Sequence, residues 1–200
     1  MDGFERRRKQ KKKAILEAAL ALFMKYGAQK VSVAEIAKEA NVSQVTIYNY
    51  FESKDNVIDQ VIRFYVDQIW DEMKRLFRSD IPYEEKIKQM ISLKNVSDPT
   101  TSPAFFEEML KDYATGKSYV EEVYLNEGLP MLIDFVNEGK EQGYIDPSLS
   151  NEAILFYLQM FQEYMRREDV AQALLPLSED FTKLFFYGIA GQKENVNKED

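Results

Sequence analysis

The chain contains neither cysteine nor histidine. Without cysteine there can be no disulfide, no thiolate nucleophile and no thiolate metal ligand. Without histidine the common zinc sites and the Ser-His-Asp and Cys-His nucleophile arrangements are lost as well. No apolar run reaches the roughly 18 residues that suggest a membrane span, and no apolar core follows the basic N-terminus as it would in a secretion signal. The expected location is the cytoplasm. Acid–base chemistry by carboxylates and tyrosines needs neither missing residue. Yet no spaced Asp/Glu constellation, glycine-rich phosphate loop or nucleophile motif is found. The chain therefore reads as a non-enzyme with no metal and no cofactor.

What is present is unevenly distributed. Over 200 residues the net charge is −8, a poor match to a nucleic-acid partner. Residues 1–58, however, hold 11 Lys/Arg against 7 Asp/Glu, and residues 59–200 hold 15 against 27. A basic end on an acidic body can approach phosphates only by that end. The basic residues concentrate at positions 6–13 and lead into an amphipathic stretch in which Ile15, Ala19, Leu22, Phe23 and Tyr26 share a helical face. Phe23, Tyr26 and Phe51 are expected in the core. The basic run is read as an arm for phosphates or the minor groove, with a solvated tail as the other reading.

Gly27 suits a left-handed helix end. Ser32-Val33-Ala34-Glu35 is a capping box at the start of a short helix, and Val33, Ile36, Ala37 and Ala40 give that helix one apolar face. A break at Asn41-Val42-Ser43 follows, with Ser43 as N-cap of a second short helix over residues 44–50. Two short capped helices about a three-residue break, behind a basic segment, have the form of a helix-turn-helix. A recognition helix must show hydrogen-bonding groups to the major groove. Gln44, Thr46, Tyr48, Asn49 and Tyr50 meet that need, while Val42 and Ile47 supply the apolar side. Many all-helical proteins contain such a pair, so periodicity alone leaves DNA binding and plain packing equally open.

Beyond these helices the pattern stays helical, with no strand alternation and no internal repeat. Ser53 can cap a long helix over residues 54–77, followed by helices expected at 83–93, 103–114, 118–141 (kinked at Gly128 and Pro130), 151–166 and 179–190. The fold class is all-α: a three-helix helix-turn-helix domain over residues 1–53 and a helical effector-binding and dimerisation domain over residues 54–200. Residues 152–165 and 181–189 are apolar on nearly every side, so each helix must be covered twice. A twofold partner is the preferred second cover, burial within one subunit being the other reading. The candidate interface is Phe156, Met160, Tyr164, Phe181, Leu184 and Phe185.

The segment from Ile15 to Val57 resembles the DNA-binding domain of TetR-family regulators. The matching residues are Ile15, Ala18-Ala19, Leu22-Phe23, Gly27, Val31-Ser32-Val33, Ile36-Ala37, Val42-Ser43, Thr46-Ile47-Tyr48, Tyr50-Phe51 and Ser53-Lys54. The resemblance implies a ligand-responsive transcriptional regulator, a repressor by family habit, that holds palindromic operator DNA as a homodimer and is released by a small-molecule effector. The other functions considered are a helical interaction module without DNA binding and, behind it, a non-metal helical enzyme. The candidate DNA-binding residues are Ser32, Val33, Ser43, Gln44, Val45, Thr46, Tyr48, Asn49, Tyr50 and Lys54. Among them the resemblance gives Tyr48 and Lys54 phosphate contacts, and sets Ser32 where a helix N-terminus nears a phosphate. Asn41 departs from the usual glycine but tolerates a left-handed backbone. For the effector pocket the family layout points to Tyr65, Ile69, Trp70, Met73, Phe105, Met109, Tyr113 and Tyr124. Glu107, Glu108 and Asp112 would attract a cation, and ordinary packing and surface roles are the competing reading for all of these.

Overall fold

The computed structural model describes residues 3–91, 102–114, 118–165, 167, 170, 173 and 177–188. Its described residues contain helices and turns but no strand. The order is α1 (Gly3–Tyr26), a short 3₁₀ turn (Ala28–Lys30), α2 (Val33–Glu39), α3 (Gln44–Phe51), α4 (Lys54–Phe77), α5 (Tyr83–Ile91), α6 (Pro103–Ala114), α7 (Tyr119–Val123), a π turn (Tyr124–Gly128), α8 (Leu129–Glu141), α9 (Asn151–Met165) and α10 (Ser178–Tyr187). No described helix is long and apolar enough to cross a membrane.

Serines start five of these helices. Ser32, Ser43, Ser53, Ser118 and Ser150 each accept from the backbone N–H three residues on, satisfying one of the amides that a helix start leaves unpaired. The long helix expected at residues 54–77 is α4, with the same bounds. At residues 118–141 the expected kink takes the form of a π turn. The Leu129 N–H reaches back five residues to the Tyr124 carbonyl, and Pro130, which lacks an N–H, lies within the first turn of α8. The helix expected at 83–93 is described through Ile91, and that expected at 179–190 runs from Ser178 to Tyr187.

Two apolar cores are formed among the described residues. The larger gathers Ile15, Ala19 and Phe23 of α1, Ile36 of α2, Ile47 and Phe51 of α3, Val57 and Val61 of α4, and Phe105 of α6. It does not break at residue 53. The first turns of α4 belong to the head, because Val57, Ile58, Val61 and Ile62 pack against α1 and α3. The smaller core stacks Tyr83 of α5 on Phe135 of α8 at 4.5 Å, with Phe77, Ile145 and Phe186 around them. Gly139 makes that stack possible, since a Cβ there would overlap the Tyr83 hydroxyl, which donates to the Phe135 carbonyl at 3.1 Å. Burial, and secondarily the Glu138 charge, pushes the Tyr83 hydroxyl pKa up. Beside it Lys86, with only 5% of its side chain exposed, bonds the Glu138 carboxylate at 2.9 and 3.1 Å and the Phe77 carbonyl at 3.1 Å. One ammonium thus joins the end of α4 to α5 and α8.

Head and body also meet at Gly27. Its φ of 85° is left-handed, and a Cβ there would lie 2.8 Å from the Ala104 Cβ of α6. Ser102, just before α6, donates its N–H to the Met24 carbonyl of α1. The same turn explains a departure from expectation at Tyr26. The residue is 47% exposed, with the Lys25 ammonium 5.0 Å from its ring centre, because α1 ends there and the chain turns away at Gly27.

Candidate nucleic-acid interface

The helix-turn-helix is built by local hydrogen bonds before any packing. In the capping box Ser32 accepts from the Glu35 N–H at 3.2 Å, and the Glu35 carboxylate accepts from the Ser32 N–H at 2.8 Å and the Ser32 hydroxyl at 2.6 Å. Those bonds favour the charged carboxylate and hold its pKa below the ordinary glutamate value. At the break Asn41 takes φ 52°, the left-handed conformation expected of it, and the Val42 N–H returns to the Ala37 carbonyl at 2.9 Å. Ser43 then starts α3, and its hydroxyl lies 2.9 Å from that of Thr46. Glu52, at φ 64°, ends α3 so abruptly that α4 begins two residues later.

Burial sorts the α3 side chains. Ile47 and Phe51 are 1% exposed and pin the helix to the core. Gln44, Val45, Tyr48 and Asn49 stand in solvent, with Val45 67% exposed. Thr46 is half-buried and engaged by Ser43. Tyr50 is also half-buried, packed on the core with the Arg8 guanidinium 6.0 Å from its ring centre. Val33 must be corrected as a side-chain contact: it is 8% exposed and fills the core, so its backbone alone remains for a ligand. Lys54, at the first position of α4, donates to the Gln29 carbonyl at 2.9 Å. An ammonium has three donors, so this bond orients Lys54 without exhausting it.

The basic segment at positions 6–13 is no loose arm. It forms the first turns of α1, and it is tied to the head by Lys12, which donates to Gln60 at 2.9 Å and sits 5.6 Å from the Phe51 ring centre. Its other residues are exposed. A rigid basic ridge therefore stands beside the C-terminal end of α3. The exposed face of α3, this ridge, Lys54 and the N-terminus of α2 form a surface suited to a duplex: hydrogen-bond formers for base edges, flanked by cations and free amides for phosphates.

Residues 15–61 match the profile of "Bacterial regulatory proteins, tetR family". By these residues the reading head is similar to the DNA-binding segment of that family. Relatives agree. The HTH-type transcriptional repressor KstR2 of Mycobacterium tuberculosis is 23% identical over 149 residues, covering 72% of this chain and 74% of KstR2. The HTH-type transcriptional regulator RutR of Escherichia coli K12 is 40% identical over 103 residues, 50% of this chain and 48% of RutR. Among solved structures, FadR from Bacillus subtilis in complex with stearoyl-CoA superposes with a TM-score of 0.53 at 21% identity, over 88% of this chain and 98% of FadR, a likeness of fold. The chain is a DNA-binding transcriptional regulator, and an interaction module without DNA binding is not favoured.

The body departs further from expectation. Tyr65 and Phe105, expected to wall an effector pocket, are 5% and 0% exposed and meet edge-on at 5.4 Å inside the larger core. Burial raises the Tyr65 hydroxyl pKa to about 12. Ile69, Trp70 and Met109 pack partly buried on the same core, and Met73 and Tyr124 are half-buried. Glu107 and Glu108 are half-buried too, while the side chains of Asp112 and Tyr113 lie outside the described residues. A cavity of about 340 Å³ lies elsewhere, between α8, α9 and α10, and none of the eight expected residues lines it. It was illegible in the sequence because its lining comes from segments 132–136, 144–157 and 185–186, which only the packing brings together.

On α9, Phe156, Met160 and Tyr164 are 66, 57 and 54% exposed, as is 41% of Leu184 on α10. Phe181 and Phe185, expected beside them, are half-buried because they hold the two helices together. Phe181 meets Phe161 at 5.8 Å, and Phe185 stacks on Tyr157 at 6.0 Å.

Proposed function

We infer that this regulator works as a homodimeric repressor in the cytoplasm, holding a palindromic operator and releasing it when a small molecule occupies the body. The observation that carries the reading is the split face of α3. Ile47 and Phe51 anchor it while Gln44, Val45, Tyr48 and Asn49 stand clear on one side. In this reading Gln44 and Asn49 hydrogen-bond to base edges, and Val45 supplies an apolar contact for a thymine methyl group. Tyr48, Lys54 and the exposed cations of α1 bind phosphates, as does the N-terminus of α2.

The apolar row of Phe156, Met160, Tyr164 and Leu184 supports the dimer. A self-complementary patch of this kind is what a twofold interface uses. Two subunits joined there can present two α3 helices to successive major grooves, about 34 Å apart.

The test is an electrophoretic shift with the DNA upstream of the protein's own gene. The wild type should shift it, and Gln44→Ala should weaken binding by about 1–3 kcal/mol and relax one base position while the helical circular dichroism stays the same. Sedimentation should give a dimer, and Met160→Glu a monomer that binds the same DNA far more weakly. No shift by the wild type, or a monomeric wild type that binds fully, refutes the corresponding half of the reading.

A further inference from the structure

The cavity between α8, α9 and α10 is used by nothing described so far. Its volume of about 340 Å³ falls at the lower end of small-molecule sites. Phe135 of α8, Ile154 and Tyr157 of α9, and Phe185 and Phe186 of α10 form its walls, and among the described lining residues all but Asp146 are apolar or aromatic. Such a lining selects an apolar body and penalises any buried polar group that it cannot pair.

Asp146 gives the site a sign. Its Oδ1 accepts from the Ser148 N–H at 2.8 Å, which orients the carboxylate. That bond also holds its pKa below the ordinary aspartate value. Among the described residues no basic side chain lines the cavity. The nearby Lys140 turns its ammonium to Asn151 Oδ1 at 2.7 Å. An anionic head would therefore meet a carboxylate, with only the Tyr144 and Tyr157 hydroxyls as side-chain donors among the described lining residues, whereas an ammonium would meet a fixed acceptor.

We propose that this cavity is the effector site and that its ligand is a small hydrophobic amine, with the apolar body among the rings and the ammonium at Asp146. The proposal rests on the ligand-responsive reading above, and the fold supplies a route from the site to the DNA. The cavity wall α8 continues from the π turn, where Glu127 accepts from the Trp70 indole at 2.9 Å and from Lys74 at 3.3 Å, both on α4. The opposite end of α4 begins with Lys54, bonded to the 3₁₀ turn that precedes α2. A ligand that shifts α8 thus pulls on the helix that carries the reading head.

Calorimetric titration of the full-length protein with octylamine, 1-octanol and octanoate at neutral pH tests the site without DNA. The amine should bind about three- to fivefold more tightly than the alcohol, the gain available to one exposed ion pair, and octanoate should bind most weakly. Asp146→Asn, which can keep the bond from Ser148, should abolish the amine's advantage. Ala153→Phe, at an exposed rim position on the same face of α9 as Phe156 and Met160, should block all three ligands while the protein sediments as the wild type does. Equal binding of the three, preference for octanoate, or unchanged binding to Ala153→Phe overturns the proposal. Operator release is then measured separately by anisotropy of a labelled duplex. Octylamine that binds at the cavity but leaves the operator bound overturns its role as effector, while failure of the wild type to bind any operator strikes the DNA-binding reading instead.

Discussion

Removing the Lys54 charge should change the salt dependence of operator binding more than it changes the fold. The ammonium is held by a single bond to the Gln29 carbonyl at 2.9 Å, and an exposed bond of that kind contributes at most about 1 kcal/mol. Lys54→Gln keeps a hydrogen-bond donor, so its urea midpoint should stay near that of the wild type. Each phosphate contact contributes about 0.9 to the slope of log affinity against log salt. A dimer loses two contacts, so the slope should flatten by about 1.8. Between about 50 and 200 mM salt the wild type should then lose about 12-fold more affinity than the variant. Fluorescence anisotropy with a fixed operator duplex across that range reads both numbers. All sequences, cognate or not, should weaken together, because a phosphate contact carries no base information. A variant with weaker binding and an unchanged slope would show that Lys54 acts by shaping the 3₁₀ turn, and the assignment of a phosphate contact would be refuted.

Three further outcomes follow from the packing. Lys86→Met should lower stability in urea by about 2–3 kcal/mol, because it strands a partly buried Glu138 carboxylate. The double change Lys86→Met with Glu138→Leu should recover most of that loss, and a single variant as stable as the wild type would show the pair to be idle. Gly139→Ala should cost about 2–4 kcal/mol by driving Tyr83 off the Phe135 carbonyl, and Tyr83→Phe added to it should restore part of the melting temperature. At the capping box Glu35 has a depressed folded-state pKa. Its stabilisation is therefore complete above the ordinary value of 4.5 and fades as pH falls through the lower folded value. Glu35→Gln should remove that acid dependence from the exchange rates of the α2 amides, and identical pH profiles for the two proteins would contradict the assignment.

The reading head was legible in the sequence because its determinants are local. Ser32 with Glu35, Ser43 with the Thr46 amide, and Asn41 at a left-handed turn each act over three or four residues, so the order of residues already states their partners. Side-chain depth is settled by neighbours remote in the chain. The spacing already puts Val33 on one apolar face with Ile36 and Ala37, and the packing of that face into the larger core removes its side chain from the DNA surface. Tyr26 has the right spacing for the core yet lies outside it, because the chain turns at Gly27 to meet Ala104, 77 positions later.

In the body the balance reverses. Apolar periodicity could say that α9 and α10 are covered on more than one side, but it could not divide their rings between a mutual contact and an exposed row. Phe185 stacks on Tyr157 while Phe156 faces solvent, a division set by how one helix is rotated against the other. The pocket shows the same limit. Tyr65 and Phe105 have the aromatic character of a ligand wall, and tertiary packing spends them on each other instead. Hydrogen bonds across three residues are written in the chain because its covalent geometry fixes their reach. A cavity exists only where helices far apart in sequence fail to fill the space between them, and that is decided by the fold.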